Sequence, residues 1–131
     1  MLARVSVVVM GLLYVAAGLN HFRDAQFYMR IMPPWIPWHA PLVWLSGAIE
    51  LVLGIGVLVP ATRRWACWGL VALLMAVFPA NVHAALHPET MGIPAWAAWA
   101  RLPLQLPLIA WAAWHARLDS RNAAARVRAA Q

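Results

Sequence analysis

Charged residues are scarce in this sequence. Only 11% of its 131 residues are charged and 64% are hydrophobic, whereas a soluble globular domain carries about a quarter charged residues. So few charges cannot cover a water-facing surface, which excludes an ordinary soluble domain, and the length leaves room for one domain. The formal net charge is +6. The ten arginines are not gathered on one polar face, however, so we expect no nucleic-acid partner.

Cysteine is almost absent as well. Cys67 is the only one, so the chain cannot form an intramolecular disulfide and has no C-x-x-C pair. Thiol redox chemistry would therefore need a partner to supply the second sulfur. The simplest interpretation of Cys67 is a small apolar residue within a helix.

What the sequence does have is four long apolar stretches. A membrane-spanning helix needs roughly 20 mostly apolar residues, and such stretches lie at about 3–21, 41–60, 64–86 and 93–116. They predict an all-α integral membrane four-helix bundle surrounded by the lipid bilayer. It would form a single domain over residues 1–131 that ends in a basic cytoplasmic tail at 117–131. A cleaved signal peptide is the alternative for the first stretch, with Arg4 as its charged start and small residues at 16–18 near a cut site.

Arginine placement predicts the orientation of this bundle. Arg4, the pair Arg63 and Arg64, and four arginines after residue 116 make seven on one side, whereas only Arg23 and Arg30 lie on the other. Because basic residues accumulate on the cytoplasmic side, both termini are predicted to be cytoplasmic. Tryptophans mark the two predicted interfaces, as an aromatic belt does. The outer set is Trp35, Trp38, Trp96 and Trp99, and the inner set is Trp65, Trp68, Trp111 and Trp114.

Residues 22–40 connect the first two stretches. Phe27, Tyr28, Ile31 and Met32 share one helical face, and three prolines follow between residues 33 and 37. We predict a short helix lying in the outer interface, followed by a rigid turn that caps the bundle. A connecting loop with aromatic anchors is the alternative.

Two charged residues lie deep inside the predicted spans. At about 1.5 Å per residue, Glu50 lies roughly 14 Å and Arg101 roughly 12 Å from the same outer surface. An isolated charge in hydrocarbon is costly, so we predict that Glu50 and Arg101 form an ion pair facing the bundle interior. Gly47 and Gly54 lie on the same face as Glu50 and would let a second helix come close.

The remaining polar residues of the spans also gather in the outer half. Tyr14 and His21 share a helical stripe on the first span, whereas the inner half offers almost nothing polar. Because ionisable groups within a membrane mark functional sites, we predict a ligand-binding cluster here. Its members are Tyr14, Asn20, His21, Glu50, Asn81, His83, Arg101 and Gln105.

Prolines offer a second explanation for this cluster. Asn81 and His83 lie about 200° apart around a regular helix, so both can face one pocket only if Pro79 distorts the turn. Pro79 also deprives the Met75 carbonyl of its usual donor, and Pro103 and Pro107 do the same in the last span. Freed carbonyls inside a membrane must find donors, so the cluster is alternatively a set of polar bridges between kinked helices.

Histidine spacing gives a weak metal candidate. His83 and His87 are spaced i and i+4, His21 is a conceivable third ligand, and Glu50 lies too deep. Two interfacial histidines are common without a metal, so we expect none.

Several short segments together resemble a known family. They are residues 18–22 (GLNHF), 27–34 (FYMRIMPP), 46–50 (SGAIE) with Gly54, 78–83 (FPANVH) and 101–105 (RLPLQ). Over about residues 5–115 the chain resembles the DoxX-like membrane proteins, which are grouped with the DoxD and MauE families. The resemblance implies a four-span bundle in the bacterial cytoplasmic membrane and an association with redox systems. One branch is similar to the small subunit of thiosulfate:quinone oxidoreductases, and another supports maturation of periplasmic disulfide-bearing enzymes.

The favoured hypothesis is therefore a redox-associated membrane subunit that binds a quinone or another small ligand in the outer half, beside a redox partner protein. Glu50 and His21 are candidates for proton transfer, and Arg101 would hold a carbonyl or an anion. Asn81 and Gln105 would orient the ligand, and Tyr14 would stack or donate a hydrogen bond. A lone enzyme is less favoured than a non-catalytic subunit, because the sequence has no visible cofactor motif.

Two other functions stay open. A midplane Glu with an Arg and proline-broken spans also occur in carriers or exporters of small solutes, although four spans are few unless the protein forms a homodimer. A non-catalytic assembly or scaffold protein is the third hypothesis, in which the polar cluster only fixes helix packing.

Overall fold

The computed structural model describes residues 1–129, with the side chains at 122, 123, 126 and 127 left aside. The side chain of Arg126 and residues 130–131, which belong to the predicted basic tail, therefore lie outside the described part of the chain. Over the described range the protein is all-helical, without strands. Its helices are α1 (Leu2–Arg23), α2 (Ala25–Arg30), α3 (His39–Leu58), α4 (Arg63–Leu86) and α5 (Ala95–Ala129), with a 3-10 turn at Pro88–Thr90.

Three of these helices, α1, α3 and α4, are long and apolar enough to cross a membrane. Only 22–28% of their most apolar stretches is buried within the protein, and large side chains such as Val8, Leu12, Val52 and Met75 point outward. The fourth predicted span lies within α5, which continues as one helix through Ala129. Arg101, Gln105 and the arginines after residue 116 lower the mean hydropathy of α5, and its membrane crossing stays a prediction.

Glycines bring α1 and α3 close together. A Cβ on Gly18 would lie 2.7 Å from the backbone nitrogen of Leu51 and 2.8 Å from the Gly47 oxygen, and a Cβ on Gly54 would lie 2.8 Å from the Val15 nitrogen. Only residues without a side chain allow the two backbones to approach this far. α1 and α3 therefore form one tightly packed pair.

The second pair is α4 with α5, and α3 packs against α4 to join the two pairs. The central core contains the fully buried side chains of Met10, Val57, Cys67 and Leu70. This order places α3 between α1 and α4, and leaves α3 and α5 without close packing.

The connection between α1 and α3 is partly helical, as predicted. Asp24 accepts a hydrogen bond from the Phe27 backbone N–H (3.2 Å) and so caps the single-turn helix α2. Ile31 then packs with Met91 and Ala98 in a small second core. The connection thus covers one end of the bundle, the end that holds the predicted polar cluster.

Candidate ligand-binding site

A cavity of about 540 Å³ lies among α1, α3, α4 and α5, beneath α2 and the turn that follows it. Its wall is mostly aliphatic, with polar groups contributed by every helix that surrounds it. The polar lining residues are Tyr14, His21, Tyr28, Ser46, Glu50, Asn81, Arg101 and Gln105. The volume falls within the range of about 300–1,000 Å³ that is typical of small-molecule pockets.

Glu50 pairs with His21. The His21 Nδ1 lies 3.2 Å from Glu50 Oε2 and 3.0 Å from the Ala17 carbonyl oxygen. Because a carbonyl oxygen only accepts hydrogen bonds, Nδ1 carries a hydrogen and shares it between the two oxygens. Gly47 makes the pairing feasible, since a Cβ at this position would lie 2.5 Å from the Cβ of His21.

The predicted ion pair between Glu50 and Arg101 is therefore wrong. Both side chains line the cavity, but the only basic side chain within 4.0 Å of Glu50 in the described structure is His21. The reason is the order of the helices. The glycine contact presses α1, with His21, against α3, whereas α5, with Arg101, packs on α4.

Tyr28 of α2 completes this side of the cavity. Its ring stacks on His21, with centroids 3.7 Å apart and planes 20° apart. Its hydroxyl accepts a hydrogen bond from Asn20 Nδ2 (3.0 Å). Asn20 does not line the cavity and instead positions Tyr28. The sequence placed Tyr28 only on an interfacial face, because its contact with Asn20 depends on the break at Asp24 between α1 and α2.

The opposite wall is a chain of amides and a guanidinium. Asn81 Nδ2 donates to Gln105 Oε1 (3.0 Å), and Arg101 Nη2 donates to Asn81 Oδ1 (3.3 Å). The buried Gln105 also donates from Nε2 to the Leu74 carbonyl. The sequence predicted that such donors would serve the Met75 carbonyl freed by Pro79. The hydrogen bond from Gln105 instead reaches the carbonyl of Leu74, one residue before Met75.

Two polar atoms in the wall have no partner. The Tyr14 hydroxyl and the Arg101 Nε are buried and make no hydrogen bond with any described residue. Tyr14 as a whole is only 3% exposed. Native proteins satisfy nearly all buried polar groups, so each exception calls for an explanation.

His83 lies outside the cavity. It faces away from Asn81, as expected for residues two apart on a helix, and its ring lies 4.5 Å from that of His87. His87 Nδ1 in turn lies 3.3 Å from Glu89 Oε1. Across residues 1–129 no group of three or more His, Cys, Asp or Glu side chains is placed to hold a metal ion.

The opposite half of the bundle, which is predicted to be the inner one, also contains a buried polar network, so the expectation that it offers almost nothing polar is wrong. Ser6 Oγ lies 2.9 Å from His115 Nε2 and accepts a hydrogen bond from Trp111 Nε1 (2.8 Å). Arg63 Nε lies 3.9 Å from Asp119 Oδ2. His115 is only 2% exposed. Trp111 and His115 lie at i and i+4 on one helical face, and this spacing is the sequence signal that could have indicated the network.

Residues 10–116 match the family described as Domain of unknown function (DUF8561). The match covers most of the chain, and the protein belongs to this family. No curated protein and no solved structure matches the chain.

Proposed function

We propose that this member of the family is a four-span membrane protein that binds a small lipid-soluble ligand by its polar end, in the cavity of the outer half. Both termini would lie in the cytoplasm of a bacterial cell. Outward-facing apolar side chains on α1, α3 and α4 support the membrane location. The arginines at both chain ends and between α3 and α4 support the orientation.

One observation carries the binding proposal. A cavity large enough for a small molecule holds buried hydrogen-bond donors, Tyr14 Oη and Arg101 Nε, that no described residue accepts from. An unmade buried hydrogen bond costs about 1–3 kcal/mol. A ligand oxygen within hydrogen-bond distance of either donor would remove that cost for that donor.

A quinone is the ligand that the sequence resemblance favours. Its carbonyl oxygens accept hydrogen bonds, and the aliphatic wall suits its apolar body. His21 and Glu50, in contact across the α1–α3 pair, would take up or release a proton beside it. The resemblance to DoxX-like proteins supports a non-catalytic subunit that works with a redox partner protein.

Two alternatives have less support. Helix assembly alone would account for the Asn81–Gln105 bridge, but not for a cavity with unpartnered donors. Solute transport would need a path towards the inner side, where Met10 and Leu70 are fully buried. Solute flux in vesicles that disappears in Glu50→Gln would reverse this preference.

The test is a quinone titration of the full-length protein in lipid nanodiscs, read by native mass spectrometry, with any co-purified small molecule extracted and identified. We expect Tyr14→Phe and Glu50→Gln to weaken binding about tenfold each, the effect of about 1.4 kcal/mol. Trp111→Phe is the matched control, because it removes a donor in the inner network only. Equal affinity in all four proteins, or no bound molecule of any kind, would refute the binding proposal.

A further inference from the structure

Arg101 is a positive charge without a counter-charge. The chain has four acidic side chains, and the described structure engages each of them elsewhere. Asp24 caps α2, Glu50 contacts His21, Glu89 contacts His87, and Asp119 contacts Arg63. The one recorded hydrogen bond of the Arg101 guanidinium within residues 1–129 goes to the neutral amide of Asn81.

The net charge that faces the cavity is set by Arg101 together with the His21–Glu50 pair. Besides the hydrogen on His21 Nδ1, the pair can hold one more proton, either on His21 Nε2 or on the Glu50 carboxylate. In either arrangement the two side chains together carry no net charge. Arg101 then remains as an excess positive charge in a mostly aliphatic wall. Arg101 is half-buried and its Nε is fully buried, and a charge held in an apolar wall without a counter-charge beside it is costly.

Tyr14 adds a second donor to the same wall. Tyr14 comes from α1 and Arg101 from α5, and the Tyr14 hydroxyl is buried without a partner among the described residues. The Arg101 Nε–H and the Tyr14 hydroxyl, which have no acceptor among the described residues, fit a negatively charged oxygen better than a neutral one, because hydrogen bonds to ionised acceptors are roughly twice as strong. The other lining residues leave room for an apolar body.

We infer that the polar end of the ligand is an anion, a carboxylate on a single apolar chain, and that Arg101 and Tyr14 hold it. This inference rests on the proposed function that the cavity binds a lipid-soluble ligand. It narrows the ligand from any polar headgroup to an acidic one. A neutral quinone is therefore the competing outcome.

The test compares decanoate with decanol, which share the apolar chain and differ in charge. Both are titrated into the full-length protein in nanodiscs of neutral lipid, with empty nanodiscs as reference. We expect wild type to bind decanoate at least about tenfold more tightly than decanol. Arg101→Gln should bring this ratio close to one, and Tyr14→Phe should reduce it severalfold.

Arg23→Gln is the matched control, because it removes the same charge from an exposed position outside the cavity and should leave the ratio unchanged. Arg101→Lys keeps the charge and should keep part of the preference if Arg101→Gln does not fold. A wild-type ratio near one, with quinone or decanol still bound at the cavity, would overturn the anion inference and leave the proposed function intact. No binding of decanoate, decanol or quinone would overturn both.

Discussion

The close contact between α1 and α3 gives the sharpest prediction about stability. Replacing Gly18 by alanine would place a Cβ 2.7 Å from the Leu51 nitrogen and 2.8 Å from the Gly47 oxygen. Both neighbours are backbone atoms of α3, so neither can rotate away. The two helices must instead move apart by several tenths of an ångström, and their shared surface must repack.

A second glycine provides the comparison. A Cβ on Gly69 would lie 2.5 Å from Leu53 Cδ2, the far end of a flexible and only half-buried side chain that can adopt another rotamer. Overpacking of a fixed contact costs about 1–3 kcal/mol. Alanine gains about 0.8–1.0 kcal/mol over glycine in a helix interior. Because both variants share that gain, Gly18→Ala should be less stable than Gly69→Ala by about 1–3 kcal/mol.

Cys67 makes the measurement direct. It is the only cysteine and is fully buried, so a thiol-reactive fluorescent dye labels it only after unfolding. At about 2–8 °C per kcal/mol for chains near this size, Gly18→Ala should unfold several degrees below wild type, and Gly69→Ala at or above it. Equal midpoints for the two variants would refute the backbone contact between α1 and α3.

Three further predictions concern the polar networks and the topology. Gln105→Leu leaves the Leu74 carbonyl without this donor and should lower stability by about 1–3 kcal/mol in the same dye assay; an unchanged midpoint would contradict the bridge. Ser6→Ala removes the acceptor of Trp111 Nε1 and should lower stability by about 1–2 kcal/mol without changing ligand binding in the outer half, so altered binding would contradict the separation of the two networks. Green fluorescent protein fused to either terminus should fluoresce and alkaline phosphatase should be inactive, and the reverse pattern would refute the cytoplasmic location of both ends.

The helices were predictable from the sequence because hydropathy and arginine placement both mark their ends. The stretch predicted at 41–60 corresponds to His39–Leu58, and that at 64–86 to Arg63–Leu86. The all-α prediction is confirmed over residues 1–129. The short helix after α1 was visible because aromatic residues recur on one face before the prolines of residues 33–37.

The partners of individual side chains were not predictable in the same way. Helical rise gives the depth of Glu50 and Arg101, and both do line one cavity. It does not say which helices are neighbours, and that depends on backbone contacts such as Gly47 against Gly18. His21 is therefore the residue that contacts Glu50, although depth and helical face alone did not favour it over Arg101.

Replacing Tyr14 distinguishes a ligand-binding site from a cluster of polar groups that only connects the helices. In a bundle that uses polar groups only for packing, a tyrosine hydroxyl with no acceptor lowers stability, and phenylalanine would fill the same space without that cost. Tyr14→Phe should therefore raise the free energy of unfolding of the ligand-free protein by up to about 1–3 kcal/mol, which raises the unfolding midpoint, and should at the same time weaken ligand binding. Opposite signs of the two effects are expected when a site keeps an unsatisfied donor for its ligand. The Cys67 dye assay and the nanodisc titration measure them separately on one variant. A Tyr14→Phe protein that is less stable than wild type would show that the hydroxyl already has a partner, and the argument for a ligand at this position would fail.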